Sequence, residues 1–533
     1  MTKHSFDYVI VGGGSAGCVL ADRLSANGKY SVCLIEAGKA DTDLRIKVPL
    51  GLMNLMKNPQ FDWCFRSAPH AHLDGHTVTV PRGKTLGGSG SINSMVYIRG
   101  RASDYDAWAA AGAEGWAWHE VLPYFKQQEN NRELGSNTLH GDGGPLHVQS
   151  LSSPHPLLSV LQQAGEELNI PASTDFNGAT QEGLGVYQAT MKNGRRWSAA
   201  DAFLRPALRR RNLTVMTNAE VDRLVLGNRI VTGVRVRSKE GLKTIGVNKE
   251  VILCAGAIGS PTILLKSGIG SAAHLKQREI DVHIDAPGVG QNLHDHPAVG
   301  VFHGGGHAGY GLSLRNTLQN VLSPFNYLLF RRGLWASNTV EGGGFAKTEA
   351  ALAEPDVQFH FIPARLGHQG KMIVWGQGYY SDVCLLKPKS RGQLTLAADR
   401  KTPNIDLNLL SDEEDFDRLI RGLELLRKLL AARAFDSVRS PELAPGGAVQ
   451  TREHLRTYIK QGLGTAYHPV GTCRMGAVDD SNAVVGPNLK LIGSDNIRVI
   501  DASVMPEIVA GNTNAPTMMI AEKGAETVLQ EAE

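Results

Sequence analysis

The chain has 533 residues, of which 42% are hydrophobic and 20% are charged, the balance of a soluble globular protein. Lysine and arginine outnumber aspartate and glutamate by 55 to 52, so charge gives no reason to expect nucleic acid as a partner. The length exceeds one ordinary core, and no apolar run approaches the roughly 20 residues that span a bilayer. We therefore expect two domains in a protein that is soluble or peripheral to a membrane.

The cysteine pattern and the N-terminus favour the cytoplasm. The six cysteines are scattered without a CxxC pair, and several lie in apolar segments where cysteine acts as a small hydrophobe. The first predicted strand, residues 6–11, starts too close to Met1 to leave room for a secretory signal. These features are typical of a reducing compartment.

The segment VGGGSAG lies between this apolar strand and a predicted helix over residues 15–24, and it contains Gly12, Gly14 and Gly17. The first glycine permits a tight turn, the second lets the backbone approach a pyrophosphate, and the third lets helix and strand pack closely. Glu36 ends the next strand, 19 residues after Gly17, where a carboxylate accepts hydrogen bonds from a ribose. The pattern predicts a dinucleotide site and leaves FAD and NAD open.

Two further segments resemble parts of a phosphate site. Residues 82–93, RGKTLGGSGSIN, contain four glycines and three hydroxyl side chains, a composition that forms backbone nests for anionic oxygens. The segment AIGSPTILLKSGIG predicts a helix that Ser260 and Pro261 open and Gly268 ends. An ordinary capped helix explains the second segment equally well.

The C-terminal block holds the candidate reacting groups. His468 lies beside a glycine-rich turn, and Asn512 and Asn514 precede a helix predicted over residues 516–529. A lone histidine among 18 is more often structural, but a helix N-terminus flanked by two asparagines suits a developing negative charge.

Two other features have competing interpretations. His294 and His296 suggest a metal, but no third ligand has a suitable spacing, so we favour a polar loop and predict no metal. Residues 313–335 predict a helix–turn–helix, and a buried one is slightly favoured. The alternative is an apolar flap over the substrate entrance, which touches the cytoplasmic membrane through Arg331 and Arg332.

Phosphate-type loops occur in three separated blocks, which predicts an α/β fold in which a Rossmann-type dinucleotide domain is interrupted by another domain. We place the first domain at residues 1–154, 190–300 and 461–533. We place an inserted α+β substrate domain, an antiparallel sheet with helices, at residues 155–189 and 301–460.

The sequence resembles the glucose–methanol–choline (GMC) oxidoreductases over nearly its whole length. The motifs that carry the resemblance are VGGGSAGCVLADRLS, GKTLGGSGSINSMVYIRG, GAIGSPTILLKSGIG, GVGQNLHDH, YHPVGTCRMG and VIDASVMPEIVAGNTNAPTMMIAEKGAE. Within the family, the sequence is most similar to bacterial choline dehydrogenase-like and aliphatic alcohol dehydrogenase members, especially in the segments NGRRWSAADAFL and PKSRGQL.

The resemblance implies FAD rather than NAD. Ile92 stands where some relatives carry a histidine linked to the flavin, so it implies noncovalent FAD. The FAD contacts implied are Gly12, Gly14, Ser15, Ala16, Gly17, Glu36, Ala37, Arg82, Gly83, Leu86, Gly87, Gly88, Ser91, Asn93, Val96, Val221, Ala255, Gly256, Asp501, Ala502, Asn512 and Asn514.

The resemblance also implies oxidation of a primary alcohol to an aldehyde. His468 is expected to accept the hydroxyl proton, Asn512 to hold the oxygen, and hydride to pass to flavin N5. Glu341 and His360 are expected to face the substrate. Two questions stay open. The electron acceptor is either a quinone or dye-type compound or O₂, and the substrate is either choline or another alcohol. A homodimer and a hydroxynitrile lyase also stay open, while an intact His468–Asn512 pair disfavours a light-driven decarboxylase and a non-catalytic FAD-binding protein.

Overall fold

The computed structural model describes residues 5–313, 316–367 and 374–532. Within these ranges the α-helices are α1 Ser15–Ser25, α2 Leu44–Lys47, α3 Ala102–Ala110, α4 Trp118–Gln128, α5 Leu157–Glu167, α6 Arg205–Ala207, α7 Gly256–Lys266, α8 Ala272–Gln277, α9 Thr317–Phe330, α10 Glu413–Leu430, α11 Arg452–Gly462 and α12 Asn514–Ala532. Short 3₁₀ turns include Pro49–Asn54, Gly88–Ser91, Leu334–Ala336 and Ala502–Val504.

The strands are β1 Ser5–Val11, β2 Val32–Ile35, β3 Phe65–Arg66, β4 Thr79–Val80, β5 Glu129–Asn130, β6 Leu146–His147, β7 Gly183–Val186, β8 Met191–Lys192, β9 Arg195–Arg196, β10 Leu213–Met216, β11 Glu220–Gly227 and β12 Ile230–Ser238. They continue with β13 Gly241–Leu253, β14 Ile269–Gly270, β15 Ile284–Asp285, β16 Pro297–Gly306, β17 Gly342–Ala346, β18 Val357–Ile362, β19 Gln377–Leu385, β20 Gln393–Leu396, β21 Pro403–Asp406, β22 Glu442–Ala444, β23 Gly464–Thr465 and β24 Ile497–Val499.

The first large sheet has a parallel centre. Its order is β10-β2-β1-β13-β12-β11, with β24 also paired to β13. Strand β1 pairs in parallel with β2 and β13, and Val9 lies between Cys33 and Val251. These three side chains are buried, because helices cover a parallel sheet on both faces and its strands are apolar throughout.

The parallel strands end together at one edge of this sheet. Strands β1, β2, β13 and β24 run side by side, so the turns that begin at Gly12, Glu36, Cys254 and Ile500 gather there. In open parallel sheets this carboxyl edge is where ligands bind. The fold thus brings residues about 490 positions apart to one place.

The second large sheet is antiparallel, in the order β22-β16-β19-β18-β17-β7, with β23 paired to β16. Helix α10 covers it, and Asp412 caps the start of this helix, because its side chain accepts a hydrogen bond from the Glu414 backbone N–H. Gly422 of α10 lies against Val357 and Val383, where a Cβ would be 3.0 Å from each side chain. Helix and sheet therefore pack closely.

The predicted fold class is confirmed: a parallel α/β sheet and a separate antiparallel sheet with helices are present. The first two predicted elements match β1 and α1 within one residue. The helix predicted over residues 516–529 extends over Asn514–Ala532. The predicted domain boundaries stay a prediction, although β7 joins the antiparallel sheet as the insertion over residues 155–189 requires.

The prediction that Ser260 and Pro261 open a helix is wrong. Helix α7 begins at Gly256, and Pro261 lies inside it. Ser260 Oγ accepts a hydrogen bond from the Ala255 backbone N–H, 3.0 Å away, so the serine stabilises the helix start from within. Gly268 does end the segment, with a φ of +74° that glycine adopts without strain.

The slightly favoured buried helix–turn–helix over residues 313–335 is also wrong. The described part forms one helix, α9, followed by the 3₁₀ turn Leu334–Ala336, while residues 314 and 315 lie outside the described ranges. Among the described side chains of α9, only Ser323 and Tyr327 are buried. The helix packs on the 3₁₀ turn and leaves its apolar side chains exposed.

Candidate active site

A cavity of about 790 Å³ extends from the carboxyl edge of the parallel sheet to the antiparallel sheet. Both predicted catalytic residues, His468 and Asn512, line it. The predicted cofactor contacts that line it are Gly12, Gly14, Ser15, Ala16, Glu36, Ala37, Arg82, Gly83, Gly88, Asn93, Val96, Val221, Ala255, Gly256, Asp501, Ala502, Asn512 and Asn514. The structure thus brings together predicted residues from all three sequence blocks.

Gly17, Leu86, Gly87 and Ser91 are the predicted contacts that do not line the cavity; they shape its walls. A Cβ on Gly17 would be 1.9 Å from the Gly12 carbonyl oxygen, so any side chain there would push α1 away from β1. Ser91 Oγ donates a hydrogen bond to the Leu86 carbonyl oxygen, 2.7 Å away, and closes the glycine-rich loop. Gly87 lies against this hydroxyl, where a Cβ would be 2.2 Å from it.

The glycine turn after β1 forms a cradle that suits a pyrophosphate. Gly12 has a φ of +104°, and a Cβ on it would be 2.5 Å from the Cys254 carbonyl oxygen. Gly14 differs, because a Cβ there would be no closer than 3.9 Å to protein and would extend into open space. Gly14 precedes α1 and, as a glycine, has no side chain to cap that helix. Its first N–H groups and the positive end of its dipole are therefore available to an anion.

Glu36 lies beside this cradle and is buried. Its Oε2 accepts a hydrogen bond from the Gly13 N–H at 2.8 Å, and its Oε1 accepts one from the Gly38 N–H at 2.7 Å. Burial raises the pKa of this carboxyl to about 7, against the lowering effect of these bonds. Since a carboxylate has about four acceptor sites, two remain for ribose hydroxyls.

The loop over residues 82–93 lies on the glycine turn. The Gly87 N–H donates to the Gly13 carbonyl oxygen at 2.7 Å, and Gly88 approaches Gly14 so closely that a Cβ would be 2.7 Å from its Cα. Buried Arg196 donates hydrogen bonds to the Gly90 carbonyl oxygen and to Asn93 Oδ1. A side chain far along the chain therefore fixes the loop.

Asp501 connects the start of α7 to the C-terminal block. Its Oδ2 accepts from the Gly256 N–H at 2.8 Å and from Ser260 Oγ at 2.6 Å. Its Oδ1 accepts from the backbone and hydroxyl of Ser503. These bonds place α7 and the 3₁₀ turn Ala502–Val504 on the same cavity wall.

At the other end of the cavity, side chains form a continuous chain of hydrogen bonds. Gln358 Nε2 donates to Asn512 Oδ1 at 3.2 Å, and Asn512 Nδ2 lies 3.2 Å from His468 Nε2. His468 Nδ1 lies 3.1 Å from His296 Nδ1, and His296 Nε2 lies 3.1 Å from the Val509 carbonyl oxygen. Four side chains from distant parts of the sequence thus meet in a line.

The last hydrogen bond of this series, from His296 to Val509, determines which ring nitrogens carry a hydrogen. A carbonyl oxygen only accepts, so His296 Nε2 carries a hydrogen and donates to Val509. Burial lowers the pKa of His296 to about 3, so its ring is neutral and its Nδ1 accepts. His468 Nδ1 must then donate, and His468 Nε2 holds a lone pair that faces Asn512 and the cavity. The geometry therefore gives His468 the tautomer of a proton acceptor.

Two effects keep His468 neutral and in place. Burial lowers its pKa well below the ordinary 6.5, and the nearby rings of His296 and His360 and the Arg82 guanidinium lower it further. Asp295 Oδ1 accepts from the backbone N–H groups of both His468, at 2.8 Å, and His296, at 2.7 Å. One buried carboxylate thus sets the position of both backbones.

The two predicted substrate residues differ in position. His360 lines the cavity, and its Nδ1 lies 2.8 Å from Asp382 Oδ1 on the neighbouring strand. Although burial lowers its pKa, the neighbouring Cys384 and Asp382 raise it well above 6.5. Glu341 is buried outside the cavity lining, where Ser337 Oγ and the His155 N–H donate to its carboxylate. We therefore withdraw Glu341 as a substrate contact.

The pair His294 and His296 does not converge on one point. His294 Nδ1 donates to the Asn292 carbonyl oxygen at 2.6 Å, and its Nε2 accepts from the Ile508 N–H at 2.9 Å. His294 therefore joins two backbone segments, while His296 supports His468. The sequence interpretation as a polar loop missed this support. The only signal for it was the position of His296 in NLHDH, two residues after the buried His294.

Comparison with known proteins identifies the family of this chain. The N-terminal profile of the GMC oxidoreductase family matches residues 6–298, and the C-terminal profile matches residues 388–521. An alcohol dehydrogenase (acceptor) of Pseudomonas putida is 43% identical over 99% of this chain and 96% of its own. An oxygen-dependent choline dehydrogenase of Brucella suis biovar 1 is 41% identical over 98% of this chain and 95% of its own.

Solved structures show the same fold. Pyridoxine 4-oxidase from Mesorbium loti superimposes with a TM-score of 0.87 at 31% identity, covering 98% of this chain and 99% of that one. A formate oxidase superimposes with a TM-score of 0.91 at 26% identity, covering 100% and 99%. With two family profiles matched and relatives of over 40% identity along its length, the chain belongs to the GMC oxidoreductases, a family of FAD-dependent enzymes.

Proposed function

We propose that this enzyme oxidises an uncharged primary alcohol to the aldehyde with noncovalent FAD and passes the electrons to a quinone or dye-type acceptor. The observation that carries the proposal is the lone pair of His468 Nε2, which faces the cavity beside Asn512. The similarity to an alcohol dehydrogenase (acceptor) at 43% identity supports the substrate class.

The residues at the other end of the cavity suit FAD. The α1 N–H groups and Gly14 would hold its pyrophosphate, and Glu36 its ribose. FAD, when bound, supplies the acceptor for the hydride that leaves the carbinol carbon. Ile92 has no nucleophilic atom and packs with Ile46 and Phe61, so we infer noncovalent binding.

The protein's own groups would move the proton. The alcohol hydroxyl donates to His468 Nε2, and this nitrogen takes the proton as the carbinol hydride departs. Asn512 Nδ2, which now donates to His468, would turn to the alcohol oxygen and hold it. His468 keeps its orientation because His296 Nδ1 accepts from its other nitrogen.

The charges around the cavity favour an uncharged alcohol over choline. Among the described lining residues near His468, the carboxylate of Asp382 is already paired with His360, and Glu341 lies outside the lining. A trimethylammonium group would therefore find no unpaired carboxylate there. The apolar lining at this end comprises Ala298, Phe302, Val340, Ile362 and Leu366, which suits a medium-chain or aromatic group. Choline is the alternative, supported by the relative from Brucella suis.

Anaerobic mixing with a panel of alcohols tests the proposal. We expect octanol or benzyl alcohol to bleach the flavin absorbance, to yield the aldehyde, and to exceed choline in kcat/KM. Acid precipitation should release the flavin from the polypeptide. Reoxidation by a quinone analogue should be faster than by air, with little peroxide. Unbleached flavin with every alcohol would contradict alcohol oxidation and leave the lyase alternative. Fast peroxide formation would instead identify an oxidase.

A further inference from the structure

Helix α9 carries an apolar surface that no other part of the described chain covers. Of its side chains, Leu318, Val321, Leu322, Phe325, Leu328, Leu329 and Phe330 are between 52% and 74% exposed. Fifteen large apolar side chains are exposed in the described ranges, and nine lie on this helix or at the adjoining Leu312 and Trp375. We call these nine residues the α9 face. Apolar surface gathered in this way marks an interaction site.

The face is wide because the helix is attached along a narrow line. Of the α9 side chains that the structure describes, only Ser323 and Tyr327 are buried, and Tyr327 Oη donates to the Gly194 carbonyl oxygen at 3.2 Å. The Arg331 guanidinium lies over the Tyr327 ring, 4.8 Å from its centre, where the helix ends. The helix is therefore held from beneath, and its outer side is apolar.

The charges beside the α9 face are positive. Helix α9 contains no acidic residue, Arg331 and Arg332 follow it, and Lys192 and Arg195 flank Gly194 beneath it. Anionic lipid headgroups attract such a group of basic residues. A second copy of this chain fits less well, because a twofold interface pairs the same patch of two molecules, and this patch offers positive charges without an acidic residue on α9 to meet them.

The geometry points to docking of the α9 face onto an anionic lipid bilayer, with the helix axis in the plane of the surface. At 14 residues the helix is about 21 Å long, shorter than the roughly 30 Å hydrocarbon layer, so it lies on the membrane rather than across it. No described helix is both long and apolar enough to cross a membrane. Trp375, 64% exposed, is of the type that concentrates at the membrane interface.

Docking would bring the cavity next to the lipid. The 3₁₀ turn that supports α9, Leu334–Ala336, also packs on the 3₁₀ turn Pro49–Asn54, whose Leu52 and Met53 line the cavity. This step rests on the proposed function: an alcohol dissolved in the bilayer would enter from the membrane side. The docking itself does not depend on the reaction.

Co-sedimentation of the FAD-loaded full chain with vesicles tests the docking. The test variant is L322S/F325S/L329S, and the matched control is L44S/L443S/V478S, which removes three exposed apolar side chains elsewhere. We expect the parent and the control to bind phosphatidylglycerol–phosphatidylcholine vesicles. The test variant should bind at least about a hundredfold more weakly, since each apolar side chain contributes more than a factor of ten when buried. Its flavin absorbance and its rate with a soluble alcohol should match the parent.

The charge contribution has its own variant. R332E should weaken binding to the anionic vesicles by roughly fivefold or more and leave binding to pure phosphatidylcholine unchanged. A parent that fails to sediment with either vesicle contradicts the docking, as does a control triple variant that binds as weakly as the test variant. Light scattering that shows a parent dimer dissociated by L322S/F325S/L329S would assign the face to a second copy instead. If alcohols still bleach the flavin absorbance, any of these results would contradict only the docking and would not affect the proposed function.

Discussion

The two ends of the cavity are lined by different kinds of groups, backbone at one end and side chains at the other. The nucleotide end consists mainly of backbone: the Gly12–Gly14 turn, the N–H groups of α1 and the loop that Gly88 presses onto Gly14. The reacting end consists of side chains, in which Gln358, Asn512, His468 and His296 follow one another through hydrogen bonds. One end therefore depends on the absence of side chains and the other on their exact chemical identity.

This difference predicts different responses to substitution. At the nucleotide end an added methyl group would enter the space that suits the pyrophosphate and should weaken cofactor binding. At the reacting end a removed nitrogen interrupts a proton path and should affect turnover, while the cofactor stays bound. Measuring flavin content and rate on the same variant separates the two.

The largest effect is expected for His468→Ala at the reacting end. Removing the base should lower alcohol-dependent flavin reduction by roughly 10²–10⁴-fold, the usual contribution of a positioned general base. FAD content should stay at the parent level, because the cradle lies at the other end of the cavity. Anaerobic stopped-flow absorbance measures both quantities.

Asn512→Ala is the comparison variant. It removes the amide that we propose holds the alcohol oxygen but leaves the His468 lone pair, so its loss of rate should be smaller than that of His468→Ala. A His468→Ala variant that retained most of the parent rate would show that another group takes the proton.

The second prediction concerns His296→Phe, which keeps a ring but offers no acceptor to His468 Nδ1. His468 would then lose its fixed tautomer and a buried hydrogen bond, whose loss costs about 1–3 kcal/mol. We expect kcat to fall roughly tenfold to a hundredfold, with a changed pH profile and normal flavin content.

His296→Gln is the matched control, because its amide oxygen can again accept from His468 and should restore part of the rate. A His296→Phe variant with parent kcat and pH profile would mean that His296 only fills space. An equal loss in both variants would argue against the tautomer explanation.

The same contrast explains how much the sequence could predict. Gly12, Gly14 and Gly17 occur within six residues; local sterics require glycine at Gly12 and Gly17, and Gly14 leaves the space beside the turn open, so spacing alone predicted the nucleotide end. Family resemblance supplied the pair His468 and Asn512, which are 44 residues apart. The structure then added the distances between them.

The rest could not be predicted, because the contacts are not local. Gln358 and His296 reach the reacting end only after the antiparallel sheet has formed, and no spacing connects them to His468. Glu341 failed for the opposite reason, since its neighbours Ser337 and His155 satisfy its carboxylate away from the cavity. The α9 helix looked buried from its composition, but burial depends on what packs against it.

The third prediction concerns the nucleotide end. Gly14→Ala adds a methyl group that meets no protein atom within 3.9 Å but enters the space that suits a pyrophosphate. Crowding of this kind costs about 1–3 kcal/mol, so the FAD dissociation constant should rise roughly tenfold or more. The rate per bound flavin should stay near that of the parent. Equilibrium dialysis of the released flavin measures the affinity.

Gly227→Ala is the control, because a Cβ there also meets open space but lies in the β11 hairpin away from the cavity. It should bind FAD normally. Equal FAD affinity in Gly14→Ala and the parent would contradict the assignment of this glycine to the pyrophosphate.

The smallest predicted effect is a shift in pH dependence at the reacting end. In the proposed reaction His468 acts as a neutral base, so kcat/KM should fall as the pH drops through its pKa, which burial and nearby charged groups hold well below 6.5. Asp382 helps to keep His360 charged, and charged His360 is one of the groups that lower the pKa of His468. Asp382→Asn should therefore move the acidic limb of the profile upward, toward 6.5. The rate should fall a few-fold in mild acid and stay unchanged at alkaline pH. Asp417→Asn, an exposed change elsewhere, should leave the profile in place. A uniform loss at every pH in Asp382→Asn would mean that Asp382 acts on substrate binding and not on the base.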